Sequence, residues 1–396
     1  MRAQRWRDVW HDRLVTPPIR FARCVSGRGI TLIRRVYEGA PAGCINLGLG
    51  QPTDPAPEAA IAAAKAMLDR GVVAYSPTAG IPELRAALAE RVYGSRAESV
   101  LVTSGSQEAL WVTLMGLVDP GEDVLFAEPG YPAYRMVTEM IGARAVAVPT
   151  RFEDKWRLEP DTVEAAWTDR TRAVIIGSPA NPTGMFAQSQ DGIERLYRIC
   201  EERGAWFVAD EIYAPIRFST PHRPLHDLGE RVIAIGGMSK AFSGTGFRVG
   251  WMHALPELIS GLLPLHQQVA LCAPTIGQHA ALASLASWGP PLEAELHARY
   301  EPRRRAMINA LNAIPGLRFH EPEGAFYVFV DVSRFTMDTL PLALRLRDEV
   351  KVITAPGESF GLAGAGFLRL SFVADPEQIT EGVSRIAALL GRLDSR

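Results

Sequence analysis

Cysteine and lysine are scarce in this chain of 396 residues, and long apolar runs are missing altogether. The four cysteines, Cys24, Cys44, Cys200 and Cys272, lie far apart and form no CxxC pair. Neither a disulfide framework nor a metal site is expected, and reduced thiols point to the cytoplasm. With no run of about 18 apolar residues, no membrane-spanning helix is expected. An excess of charge is missing too: the formal net charge is −2 and no long basic or acidic run occurs. Nucleic acid and other polyanions are therefore excluded as expected partners. The first 35 residues are rich in arginine but carry Asp8 and Asp12 and no apolar core before a small-residue cleavage site. They read as an N-terminal arm on the protein surface, with a targeting segment as the alternative.

The chain exceeds the roughly 250–300 residues at which one hydrophobic core stops growing, so two domains are expected. Through its middle, strand-like runs at Ser99–Thr103, Asp123–Ala127, Ala145–Pro149, Ala173–Gly177, Trp206–Ala209 and Val232–Gly236 alternate with amphipathic segments at Gln107–Leu117, Tyr134–Ile141 and Gly192–Arg203. Such alternation predicts an α/β fold with a largely parallel sheet covered on both faces. An α+β tail follows, with strand-like runs at Leu317–His320, Ala325–Val330, Val352–Ala355 and Phe367–Phe372 and a helix near Pro376–Leu393. The boundaries expected are a large domain over 46–290 and a small one built from 1–45 and 291–396.

Only four lysines are present, so chemistry that needs a deprotonatable amine has four candidates. Lys65 falls in the Ala-rich segment Ala59–Leu68, Lys155 in a polar turn, and Lys351 at the start of a short strand. Lys240 differs: it follows the buried run Val232–Gly236 and precedes Ser243-Gly244-Thr245-Gly246. A desolvated lysine near other cations is a nucleophilic amine. Arg248, eight residues on, suits a phosphate partner.

Other positions point to an anion-rich site. Ser104-Gly105-Ser106-Gln107 ends a strand and opens a helix, where free N–H groups and the helix dipole attract an anion; an ordinary capping turn is the alternative. Asp210 stands at the C-terminal end of a parallel strand, where α/β proteins bind ligands, or else caps the next helix. Arg369, alone in an apolar strand, needs an anionic partner, either a ligand or a structural acid. Asn181-Pro182-Thr183-Gly184 carries turn chemistry. Tyr131, in a Pro-flanked loop, offers a flat ring to a ligand or to the core.

These segments recur in order. Together with Gly48-Leu49-Gly50-Gln51-Pro52, Tyr75-Ser76-Pro77-Thr78-Ala79-Gly80, Pro129-Gly130-Tyr131-Pro132, Asp210-Glu211-Ile212-Tyr213 and Leu368-Arg369-Leu370-Ser371-Phe372, they make the chain resemble the class I/II aminotransferases from about Asn46 to Phe372. That family has fold type I, with a mostly parallel seven-stranded sheet, and uses pyridoxal 5′-phosphate. The resemblance implies that Lys240 holds the cofactor as a Schiff base and moves the Cα proton. It assigns the phosphate to Gly105, Ser106, Gln107, Ser239 and Arg248, and the pyridine nitrogen to Asp210. The phenolic oxygen falls to Asn181 and Tyr213, and ring stacking to Tyr131. Gly50, Asn181 and Arg369 are implied at the substrate, Arg369 gripping the α-carboxylate. Tyr75 is implied to reach the phosphate of a neighbouring subunit, hence a homodimer. The implied activity is transfer of an amino group from an α-amino acid to a 2-oxo acid. The alternatives are a β-lyase, decarboxylase or oxidase using the same cofactor, or a non-enzymatic ligand-sensing module.

Two features depart from the family pattern. Many members carry Ser where this chain has Gly237, so Ser239 or Ser243 is expected to supply that hydroxyl. Gln107 stands where some acid-specific relatives have a basic residue. With no other basic residue expected in the pocket, and with Ile30 and Phe360 expected to line it, neutral aliphatic or aromatic substrates are favoured over aspartate.

Overall fold

A computed structural model describes residues 20–22, 24–26, 29–218 and 223–394. Most of the expected N-terminal arm lies outside the described residues. The strands are β1 (Ile45–Asn46), β2 (Val100–Thr103), β3 (Asp123–Glu128), β4 (Arg144–Pro149), β5 (Thr171–Gly177), β6 (Trp206–Asp210), β7 (Val232–Gly237), β8 (Gly250–His253), β9 (Arg318–Phe319), β10 (Tyr327–Asp331), β11 (Val352–Ile353), β12 (Ala355–Pro356) and β13 (Phe367–Ser371).

Seven of them form the main sheet in the order β2-β8-β7-β6-β5-β3-β4. All neighbours are parallel except β8, which runs against both β2 and β7. The pleat sends alternate side chains to opposite faces. Val174, Ile176, Phe207 and Ala209 enter one core, whereas Ala173, Ile175 and Val208 enter the other. Both faces are thus buried, which is why these strands read as continuous apolar runs rather than alternating ones. Six of the seven strands were expected. β8, Gly250-Trp251-Met252-His253, escaped notice because it is only four residues long and carries no β-branched residue.

The tail forms a four-stranded antiparallel sheet, β12-β13-β10-β9. Near it, β1 pairs in parallel with β11, tying residues 45 and 46 to residues 352 and 353. The helix Pro376–Asp394 packs on the helix Pro290–Asn312. Because β2, β3, β5, β6 and β7 all point the same way, the loops that leave them gather at one edge of the main sheet. That edge faces Arg369 of β13.

Candidate active site

Each chemical side chain is set by one of those strand ends. β7 ends at Gly237 and the helix Met238–Ala241 follows at once, carrying Lys240. β6 ends on Asp210 itself. β5 leads to Asn181, β3 to Tyr131, and β2 to Gly105, which caps the helix Ser106–Leu117. They converge on a cavity of about 370 Å³ whose walls include Ser106, Gln107, Ser239, Lys240, Arg248, Gly50, Asn181 and Arg369.

The Lys240 ammonium donates to the Gly50 carbonyl at 2.7 Å. Burial, with Arg369 and Arg248 nearby, lowers its pKa to about 8. The other lysines lie elsewhere: Lys65 and Lys155 are exposed, and Lys351 donates to the Asp348 carbonyl. Gly50 is required by close approach, because a Cβ there would sit 1.8 Å from the Tyr327 hydroxyl.

Gly105 adopts φ +97°, and a Cβ at that position would lie 2.4 Å from Nη2 of Arg248. Arg248 itself is steered by the carbonyls of Thr245 at 3.0 Å and Ser104 at 3.3 Å. The guanidinium and the first turn of a helix therefore meet over a glycine, an arrangement that attracts a phosphate. Ser239 borders the cavity, whereas the Ser243 hydroxyl accepts from Arg299 at 3.2 Å. Of the two serines expected to replace the family hydroxyl, only Ser239 is placed to do so. Gly237 leaves little space for a side chain: a Cβ would stand 3.0 Å from Cδ1 of Ile212 and 3.2 Å from the Val249 carbonyl.

Asp210 is buried, which raises its pKa, although the Tyr134 hydroxyl donates to Oδ2 at 2.7 Å and the Ile212 amide to Oδ1 at 3.2 Å. The Tyr213 and Tyr327 hydroxyls share a hydrogen bond of 2.7 Å. The Tyr131 ring lies edge-on to Tyr134 with centroids 5.6 Å apart, and burial near Asp210 pushes its hydroxyl pKa up to about 12. Arg369 is 3% exposed and donates through Nη1 to Oδ1 of Asn181 at 2.9 Å and through Nη2 to the Gly48 carbonyl. Its guanidinium lies 4.4 Å from the Tyr327 ring centroid and 4.9 Å from that of Phe360. Its Nε is buried without a partner.

Tyr75 is outside this cavity and 83% exposed. Ile30 is outside it too, at 63% exposure. Thr31 caps the helix Leu32–Glu38, so Ile30 precedes the helix and Ile33 takes the wall instead. Arg34, on the same helix, also reaches the cavity wall, which corrects the expectation that no further cation would be found there. Tyr134 and Tyr327 are the site residues that sequence reasoning missed. Each reads as ordinary core, one on an amphipathic helix and the other in a buried strand.

Residues 42–386 match the family described as aminotransferase class I and II. The chain belongs to this family. It is 32% identical to the probable aspartate aminotransferase of Methanocaldococcus jannaschii over 89% of this chain and 95% of that protein. It is likewise 32% identical to the aspartate aminotransferase of Musicola paradisiaca, over 88% and 90% of the two chains. Among solved structures, the aspartate aminotransferase of Thermus thermophilus with maleate superposes with a TM-score of 0.87 at 30% identity, covering 94% of this chain and all of that one. The protein is an amino-acid aminotransferase of fold type I, and family membership implies pyridoxal phosphate. The residues present fit that group: a buried Lys240 amine with pKa near 8, and the Arg248 guanidinium over a glycine cradle at Gly105.

Proposed function

We propose that this aminotransferase binds pyridoxal phosphate through Lys240, with Gly105, Ser106, Gln107, Ser239 and Arg248 holding the phosphate. The lowered pKa of the Lys240 amine at the centre of the cavity carries the reading. When bound, the cofactor supplies an electron sink for charge developing at the substrate Cα. Asp210, held by Tyr134, keeps the ring nitrogen protonated. With Oδ1 of Asn181 engaged by Arg369, its amide nitrogen is left for the cofactor's phenolic oxygen, beside the Tyr213 hydroxyl. Tyr131 covers the ring face. Arg369 would receive the substrate α-carboxylate near Gly50, and the Lys240 amine would take and return the Cα proton.

The reading extends to a homodimer acting in the cytoplasm. Tyr75 serves the partner's phosphate, and its neighbourhood supports this: Leu68, Val72 and Val73 are exposed apolar side chains on the same stretch. The four free cysteines fit a reducing compartment. Among the described residues no helix is long and apolar enough to cross a membrane. The small domain, from 1–45 and 291–396, brings Arg369 over the cavity. For the donor, neutral aliphatic or aromatic amino acids are favoured over aspartate, although two relatives are named for aspartate. Gln107 is neutral, and Arg34 faces Glu38 of its own helix at 3.9 Å. Mixing the enzyme with each amino acid in the absence of a 2-oxo acid tests this. A neutral donor should convert bound cofactor to its amine form fastest, and preferential conversion by aspartate overturns the specificity claim.

A further inference from the structure

The cavity does not end at Arg369. A second chamber of about 350 Å³ adjoins it, and the two share Ile33, Arg34, Gln107, Tyr131, Asn181 and Arg369 as walls. The far walls are apolar: Trp111 from the helix Ser106–Leu117, Met136, Val137 and Met140 from the helix Pro132–Met140, and Phe360 from the small domain.

We propose that this chamber is the side-chain subsite of the enzyme and takes a large apolar group, an aryl or long aliphatic side chain. The inference rests on the aminotransferase reading only in placing the substrate α-carboxylate at Arg369. Arg369 itself borders the chamber, so a side chain attached next to that carboxylate lies at its wall. A cavity of about 150 Å³ already holds a benzene ring, so the space exceeds what a methyl or carboxymethyl group fills. Two methionines and a tryptophan offer adaptable, polarisable surface. A small acidic side chain would leave those walls bare and gain nothing from them. At the rim, Gln107 is neutral, and Arg34, the one cation there besides Arg369 among the lining residues, has Glu38 at 3.9 Å.

Non-reacting carboxylates test the chamber apart from catalysis. On the cofactor-loaded enzyme, calorimetry should show 3-phenylpropanoate binding at least tenfold tighter than propanoate, since each methylene-sized contact is worth roughly tenfold. Met136→Trp fills the chamber and should abolish that ratio; Met140→Ala enlarges it and should favour 3-indolylpropanoate over 3-phenylpropanoate. Equal binding of 3-phenylpropanoate and propanoate overturns the proposal, as does tighter binding of butanedioate, which would make Arg34 the reader of an acid. A Met136→Trp enzyme that sediments differently but keeps the ratio also overturns it, because the chamber would then belong to a second copy of the chain. These ligands carry no amino group, so failure of amino transfer with every amino acid would count against the proposed function and leave the chamber result standing.

Discussion

The Tyr134 hydroxyl donates to Oδ2 of Asp210 at 2.7 Å, and the two residues come from different strand–loop units, 76 positions apart. Burial raises the Asp210 pKa, and the Tyr134 hydroxyl, ahead of the Ile212 amide and the Lys240 charge, offsets this by stabilising the carboxylate. A tyrosine on the helix after β3 thereby sets the charge of an aspartate at the end of β6.

Replacing that donor by Tyr134→Phe should leave the ring packing intact while the carboxylate loses a hydrogen bond. Hydrogen bonds to charged groups contribute about 1.5–3 kcal/mol, so kcat should fall by roughly ten- to a hundredfold. The acid limb of the pH profile should move upward, because Asp210 would then hold its proton to higher pH. An unchanged limb would show that the carboxylate is set by something else.

Lys240 makes a prediction about the cofactor-free enzyme. Its folded pKa of about 8 lies below the ordinary lysine value of 10.5. Between those values the unfolded chain binds the proton and the folded chain does not, so stability rises with pH across that window. Below pH 8 the penalty is fully present, at about 3 kcal/mol. Lys240→Met removes it and sacrifices an ammonium hydrogen bond to Gly50 worth about 1.5–3 kcal/mol. Urea unfolding should find the parent enzyme gaining stability relative to the variant as pH rises from 8 toward 10.5, by about 3 kcal/mol in all. A difference independent of pH would contradict the depressed pKa.

Much of this site could be read from sequence, and the reason is topological. Lys240, Asp210, Asn181 and Gly105 all stand at or just after the ends of strands, where glycine, proline and turn residues punctuate the chain. Inside regular elements Arg369 stands out as a lone charge in an apolar strand, but the two tyrosines give no such signal. Tyr134 and Tyr327 occupy positions where an aromatic side chain is expected to pack, and only the fold shows their hydroxyls meeting Asp210 and Tyr213. Arg34 was hidden within an arginine-rich stretch. The chamber between Trp111 and Met136 is a property of two helices separated by β3, which no local pattern encodes.

At Gly105, both backbone and space forbid a side chain. A left-handed φ costs an L-residue about 1–2 kcal/mol, and a methyl group would press on Arg248. Gly105→Ala should therefore destabilise the cofactor-free enzyme by about 1–2 kcal/mol, and by displacing Arg248 it should also weaken pyridoxal-phosphate affinity by about tenfold. Fluorescence titration of cofactor into the stripped variant measures this. Wild-type affinity would mean that the phosphate lies elsewhere.

The Arg369 guanidinium is the most constrained cation of the site: two nitrogens are engaged by Asn181 and Gly48, and Nε has no partner. A lysine at this position keeps a charge but cannot reproduce a planar fork. Arg369→Lys should lower kcat/KM by roughly ten- to a hundredfold for every amino acid alike, since all share the α-carboxylate. The ratio between a large apolar donor and alanine should stay near that of the parent enzyme, because the chamber walls are untouched. A loss confined to acidic donors would instead assign Arg369 to the side chain, and the α-carboxylate would need another partner.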